Sequence, residues 1–242
     1  MRHLIHELPF ERRLAAGQFI YHKDGEPTGA VESWRLTQAA DDYRFLRVDL
    51  DGRASSGDSY LYHAVLTDAG QLERLTFRFW GQGVKVNGTV LLEDDGLTIS
   101  REVSRLDETE RLEEEIESRL PFWFPSTMGL GLLARQFEEP ASGVAAVMLD
   151  VNDGFALLQQ TIAIEIGQEE EVAVGRQTFV TRPCSINWPG QQRKVWISQT
   201  TPGWPLKMDR PDGLTAIARR FTPSYLPASS ADGDQATRRI ET

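Results

Sequence analysis

Gly129-Leu130-Gly131-Leu132-Leu133-Ala134 has the spacing G-x-G-x-x-A, and Asp150 follows nineteen residues after Gly131. In a dinucleotide-binding turn, such glycines let a pyrophosphate reach a helix N-terminus, and the later acid holds a ribose. That chemistry needs a parallel strand feeding the turn. What precedes the glycines is Leu120-Pro121-Phe122-Trp123-Phe124-Pro125, with two prolines and no strand pattern. The glycines are therefore expected to let a helix sit close against a sheet. His3 and His6 are spaced i, i+3, whereas His22 and His63 stand alone. Zinc needs three or four ligands held together, so no metal and no cofactor is expected. Cys184 is the one cysteine, so it forms no internal disulfide. It lies in the strand-like Thr181-Arg182-Pro183-Cys184-Ser185-Ile186, and a buried, inert thiol is expected.

Acid–base chemistry by paired carboxylates has ample material, since Asp and Glu total 36. Nothing in the spacing selects a pair, and the chain has no G-x-S-x-G elbow, Walker loop or H-E-x-x-H. Asn87-Gly88-Thr89 fits a glycosylation sequon, but its setting among β-branched residues reads as a hairpin turn. The remaining material is aromatic. Six tryptophans stand at 34, 80, 123, 188, 196 and 204. They either fill a large core or line an open apolar concavity. On the second reading, Trp34, Phe77, Phe79, Trp80, Trp196 and Trp204 are the candidate ligand-binding residues, with no catalytic residue assigned.

The elements that must position these groups are strands. Asp24-Gly25, Asp51-Gly52, Asn87-Gly88, Asp95-Gly96, Asp153-Gly154 and Asp212-Gly213 lie between strand-like runs. Such pairs suit tight hairpins, whose central positions need φ > 0. Asn87-Gly88 is the strongest of them, flanked by Val84, Val86, Thr89 and Leu91. Between turns the pattern has period two. Leu75, Phe77 and Phe79 oppose Arg74, Thr76 and Arg78. Leu97, Ile99, Arg101 and Val103 oppose Thr98, Ser100 and Glu102. This is the pattern of half-buried antiparallel strands.

Residues 105–120 fit two periods at once. Leu112, Ile116 and Leu120 share a helix face, and also one strand face. Seven of residues 107–117 are acidic, which marks a solvated face. The β context favours a hairpin turning at Asp107–Thr109. After Pro125, Ser126 can cap a short helix reaching Phe137. Strands resume beyond Pro140, giving β-rich halves at about 10–120 and 140–222. Residues 1–226 are expected as a single β domain, and 227–242 as a disordered tail without apolar pattern.

The chain has 242 residues and a net charge of −10. The charge argues against nucleic acid, because counterion release needs clustered Lys and Arg. No run of about 18 apolar residues exists to span a bilayer. The start lacks the apolar stretch of a secretory signal, so a cytoplasmic location is expected.

Val174 to Phe179 enters a strand, Arg193 to Ser198 is a Trp-bearing strand, and Trp204-Pro205-Leu206-Lys207-Met208 precedes Asp212-Gly213 and a last strand. Over residues 140–222 this resembles a bacterial family of single-sheet β proteins of unknown function, grouped with glycolipid-binding and lipoprotein-carrier-like proteins. The resemblance implies a half-open curved sheet around a short helix and a lipid-like ligand, with no catalytic residues. The expected fold is thus all-β, a long antiparallel sheet curled into a half-open barrel with one short helix. The leading functional expectation is non-enzymatic binding of an apolar or amphipathic small molecule. A structural or protein-interaction domain with a self-filled core is the alternative, followed by a carboxylate-based hydrolase.

Overall fold

The computed structural model describes residues 8–39, 43–106, 108–200 and 203–223. The expected tail at 227–242 and the His3/His6 pair lie outside them. Alternation becomes strand along most of the described chain. The first half forms β1 (Arg12–Lys23), β2 (Glu26–Gln38), β3 (Arg44–Gly52), β4 (Asp58–Leu66), β5 (Leu72–Gly81), β6 (Val84–Leu92), β7 (Leu97–Arg105) and β8 (Glu108–Ile116). A short β9 (Phe122–Trp123) leads into α1 (Thr127–Ala134). Then follow β10 (Ala141–Asp150), β11 (Ala156–Ile166), β12 (Glu170–Val174), β13 (Gln177–Trp188), β14 (Gln191–Ser198), β15 (Pro205–Asp209) and β16 (Leu214–Pro223).

All these strands belong to one open sheet. Its order runs from β8 down to β1, then from β16 back to β13, β11, β10 and β9, with β12 paired to β13 at the side. Each half of the chain is a wing of sequential hairpins. The first strand pairs with the last, Phe19 opposite Ala218 and Tyr21 opposite Ala216, and this seam joins the wings. Pairing is antiparallel except between β9 and β10, which run parallel. The sheet does not close, and it curls around α1 as a half-open barrel. Among the described residues no helix is long and apolar enough to cross a membrane.

The inner face carries the core. Leu75, Phe77 and Phe79 point inward as the alternation requires, with Leu46, Val48, Val90 and Ile99 beside them on neighbouring strands. Each such fully buried side chain contributes about 1.5–3 kcal/mol. Two contacts draw the wings together. Phe155, at φ 65 after the β10 turn, lodges against Tyr60, Phe77 and Phe79. Glu114 of β8 pairs with the buried Arg101 and also accepts the Leu157 backbone N–H of β11 at 3.0 Å.

Besides Asp51-Gly52, which lies in the β3–β4 ladder before its turn, and α1, which ends at Ala134 and not at Phe137, two local expectations change. The turn after β5 falls at Gln82-Gly83, with φ 48 and 77, and not at Asn87-Gly88. Gly88 sits inside β6, paired with Phe77 on one side and Arg101 on the other. The Phe77 ring lies across Gly88 where a Cβ would stand. The glycine makes room for an aromatic ring, which covers the bare backbone in turn. The second change is smaller. Residues 108–116 are strand, and Arg105 pairs with Glu108, so the β7–β8 turn comes just earlier than Asp107–Thr109.

Candidate functional site

Helix α1 is buried along its whole length, with no acidic residue in its first turn and no basic residue in its last. Its first N–H groups must therefore find partners inside the protein. Ser126 Oγ accepts the Gly129 N–H at 2.8 Å, the cap expected from the sequence. Glu32 of β2 supplies the rest. Its carboxylate accepts the Thr127 and Met128 N–H groups, both at 2.9 Å, and the Tyr21 O–H at 2.5 Å. Tyr21 stays protonated, because burial and the Glu32 charge hold its pKa well above the ordinary value. Its one proton goes to Glu32, so the Thr127 hydroxyl, 2.8 Å away, donates to the Tyr21 oxygen.

This arrangement answers the dinucleotide question. The helix N-terminus is already occupied by a side-chain anion from the sheet, 0% exposed. The glycines serve packing, as expected. A Cβ at Gly131 would stand 2.5 Å from the Pro205 ring of β15, and one at Gly129 would strike the Phe124 carbonyl.

At the other end of α1 lies a cleft of about 470 Å³. It is bounded by the β4–β5 turn, the segment between β8 and β9, and the last turn of the helix. Leu72, Leu92, Leu120, Phe122 and Leu132 form its apolar wall. Arg119 and Arg135 are the cations that line it. Arg119 reaches Asp94, itself fully exposed, at 3.4 Å and the Leu72 carbonyl at 3.3 Å. Arg135 follows the helix and lies over the Trp204 ring, 5.0 Å from its centroid. Its Nη2 approaches Gly70, where an added Cβ would stand at 3.3 Å. Burial, with the nearby Arg44, lowers its pKa from the ordinary arginine value. Arg44 pairs with Asp68 at 2.5 Å, whereas Arg135 has no carboxylate partner among the described residues.

The six aromatic candidates do not converge on one site. Trp34 and Trp204 pack at 5.3 Å on the inner face, with Phe221 behind Trp34 at 6.1 Å. Phe77 and Phe79 belong to a separate cluster around Phe155. Trp80 alternates onto the opposite face of β5 from Phe77 and Phe79. Trp196 also faces outward, between Lys194 and Lys207, and donates its indole N–H to Glu170 at 2.8 Å. Apart from Trp80, none of the six exceeds 8% exposure. None of the six lines the cleft; Trp204 lies beneath Arg135, which does. Cys184 is buried, and burial raises its pKa to about 11, which keeps it a thiol.

Sequence reasoning missed Glu32, Arg119 and Arg135. Glu32 left a trace, because it falls in phase with Trp34 and Leu36 on the apolar face of β2. The arginines left none, since the cleft is assembled from segments far apart in the chain. No protein-family model matches this chain, and no curated protein matches its sequence.

Proposed function

We propose that this protein binds a small amphipathic molecule without chemical conversion, and that the site is the cleft at the end of α1. The observation that carries this reading is the pairing of an apolar wall with two arginines, one lacking a carboxylate partner among the described residues. Small-molecule sites occupy roughly 300–1,000 Å³, mostly apolar with a few placed polar groups. The cleft matches that description in size, and its lining sets an apolar wall against a larger share of polar groups. The aromatic interior is a poorer host, because its rings are spent on one another.

Titration of the chain with decyl maltoside, below its aggregation concentration, tests the reading. Saturable binding is expected, and Ala69→Trp at the exposed cleft rim should abolish it without lowering the melting temperature. Binding unchanged in Ala69→Trp would move the site elsewhere, and no saturable binding would overturn the function.

The burial of Trp34, Phe77, Phe79 and Trp204 favours a second reading. A self-filled β domain would act through its outer surface. It predicts no uptake of any amphiphile.

A further inference from the structure

Arginine offers five N–H donors in a planar fork that matches the oxygens of a carboxylate or phosphate. The Arg135 guanidinium carbon lies over the Trp204 ring, 5.0 Å from its centroid. That contact is not a hydrogen bond, and the Nη2 donor is turned toward the Gly70 side of the cleft. Arg44 adds positive charge nearby, and its Nε is buried without a hydrogen-bond partner. Arg119 stands at the same cleft, tied among the described residues to the fully exposed Asp94 and a backbone carbonyl. A chain of net charge −10 thus sets two arginines in the lining of one cleft, with a third, Arg44, close enough to Arg135 to act on its charge. Their two carboxylate partners, Asp68 and Asp94, are 62% and 107% exposed, so both pairs are strongly screened by solvent.

We infer that the ligand of this cleft carries an anionic oxygen head, a carboxylate or phosphate on a single short apolar chain, and that Arg135 binds the head with Arg119 as the second cation. The inference rests on the cleft being the binding site. A volume near 470 Å³ lies toward the small end of ligand sites, which selects one chain over a two-chain lipid. Leu72, Leu92, Leu120 and Leu132 would take the chain, and the arginine end would take the head.

The test compares decanoate, decyl phosphate, decyl maltoside and inorganic phosphate by calorimetric titration against the full chain. The anionic amphiphiles should bind at least about tenfold more tightly than decyl maltoside, as one added charged hydrogen bond of about 1.5–3 kcal/mol would give. Whichever of decanoate and decyl phosphate binds more tightly identifies the head. Arg135→Gln should remove the preference and leave decyl maltoside unchanged. Arg119→Gln should weaken the anions by a smaller factor. Arg119→Glu provides a reversed charge at the rim if Arg135→Gln does not fold, and it should cost the anions more than Arg119→Gln does. Equal affinity for neutral and anionic amphiphiles overturns the anionic head but leaves the cleft reading intact. Inorganic phosphate binding as tightly as decyl phosphate overturns the apolar chain. Failure of every amphiphile to bind overturns the cleft reading itself.

Discussion

Phe77 is held twice, by Phe155 stacked at 5.1 Å and by the bare backbone of Gly88 beneath its ring. Phe77→Ala should therefore cost about 3–5 kcal/mol, measured by chemical denaturation, since a packed site cannot collapse around the loss. Gly88→Val puts a good strand former in a strand, yet it should destabilise the parent by striking the ring. In the Phe77→Ala background the same change should be tolerated, with a coupling of about 0.5–3 kcal/mol. Additive effects would mean the ring does not depend on the glycine. Glu32 makes a prediction of opposite character. Burial raises its pKa above the ordinary 4.5, although its hydrogen bonds from Tyr21, Met128 and Thr127 pull it down. The folded chain then holds the proton more tightly than the unfolded chain does. The stability Glu32 contributes is fullest below the unfolded pKa and declines as pH rises through the folded value. Thermal melts of the parent and Glu32→Gln between about pH 4 and pH 8 should show the parent's advantage shrinking with pH. An advantage that grows with pH would reverse the assignment.

At the scale of elements, β8 is the exposed edge of a long sheet, paired on one side only. Such an edge is a template for another chain unless something repels it. Glu113 and Glu115 stand exposed on its outer face, and Glu108 and Glu110 near its start. The acidic run whose apolar spacing also fitted a helix thus puts charge where a strand could otherwise pair further. Replacing Glu113 and Glu115 with Thr raises strand propensity and removes charge. Sedimentation velocity should then show association that increases with concentration. Unchanged sedimentation would mean that shape, not charge, protects the edge. Helix α1 shows the converse dependence. Eight residues form too short a helix to persist alone, and it stands because Glu32, Ser126 and the inner face hold it.

For the whole molecule, the β1–β16 seam decides cooperativity. The first wing cannot complete its pairing until the last strand exists. A chain stopped after Asp209 removes β16, leaves β1 and β15 unpaired on one side, and strips Phe221 from Trp34. Calorimetry of that fragment should show no cooperative melting transition, and a sharp transition would mean that the wings fold independently. Contacts between chain ends also make folding slow relative to helical proteins of equal length.

Hydrophobic period and turn chemistry made most of this fold legible. Period two identifies the strands, because adjacent side chains on a strand must face opposite sides. Asp24-Gly25 marks a true turn, since both its residues take positive φ. Asn87-Gly88 carried the same local signal and lies mid-strand. Only the Phe77 ring above Gly88 separates the two cases, and that ring comes from the neighbouring strand. Ser126 was readable as a cap, because the capping bond is local. Glu32 as the second cap was not, for its helix lies 95 residues away. The aromatic candidates were readable as either core or concavity lining, but not their division among two inner clusters and the outer face. The cleft was beyond sequence for the same reason. A turn, a connecting segment and a helix end meet there only because the sheet curls, and curl comes from the sum of many strand pairings that no single segment encodes.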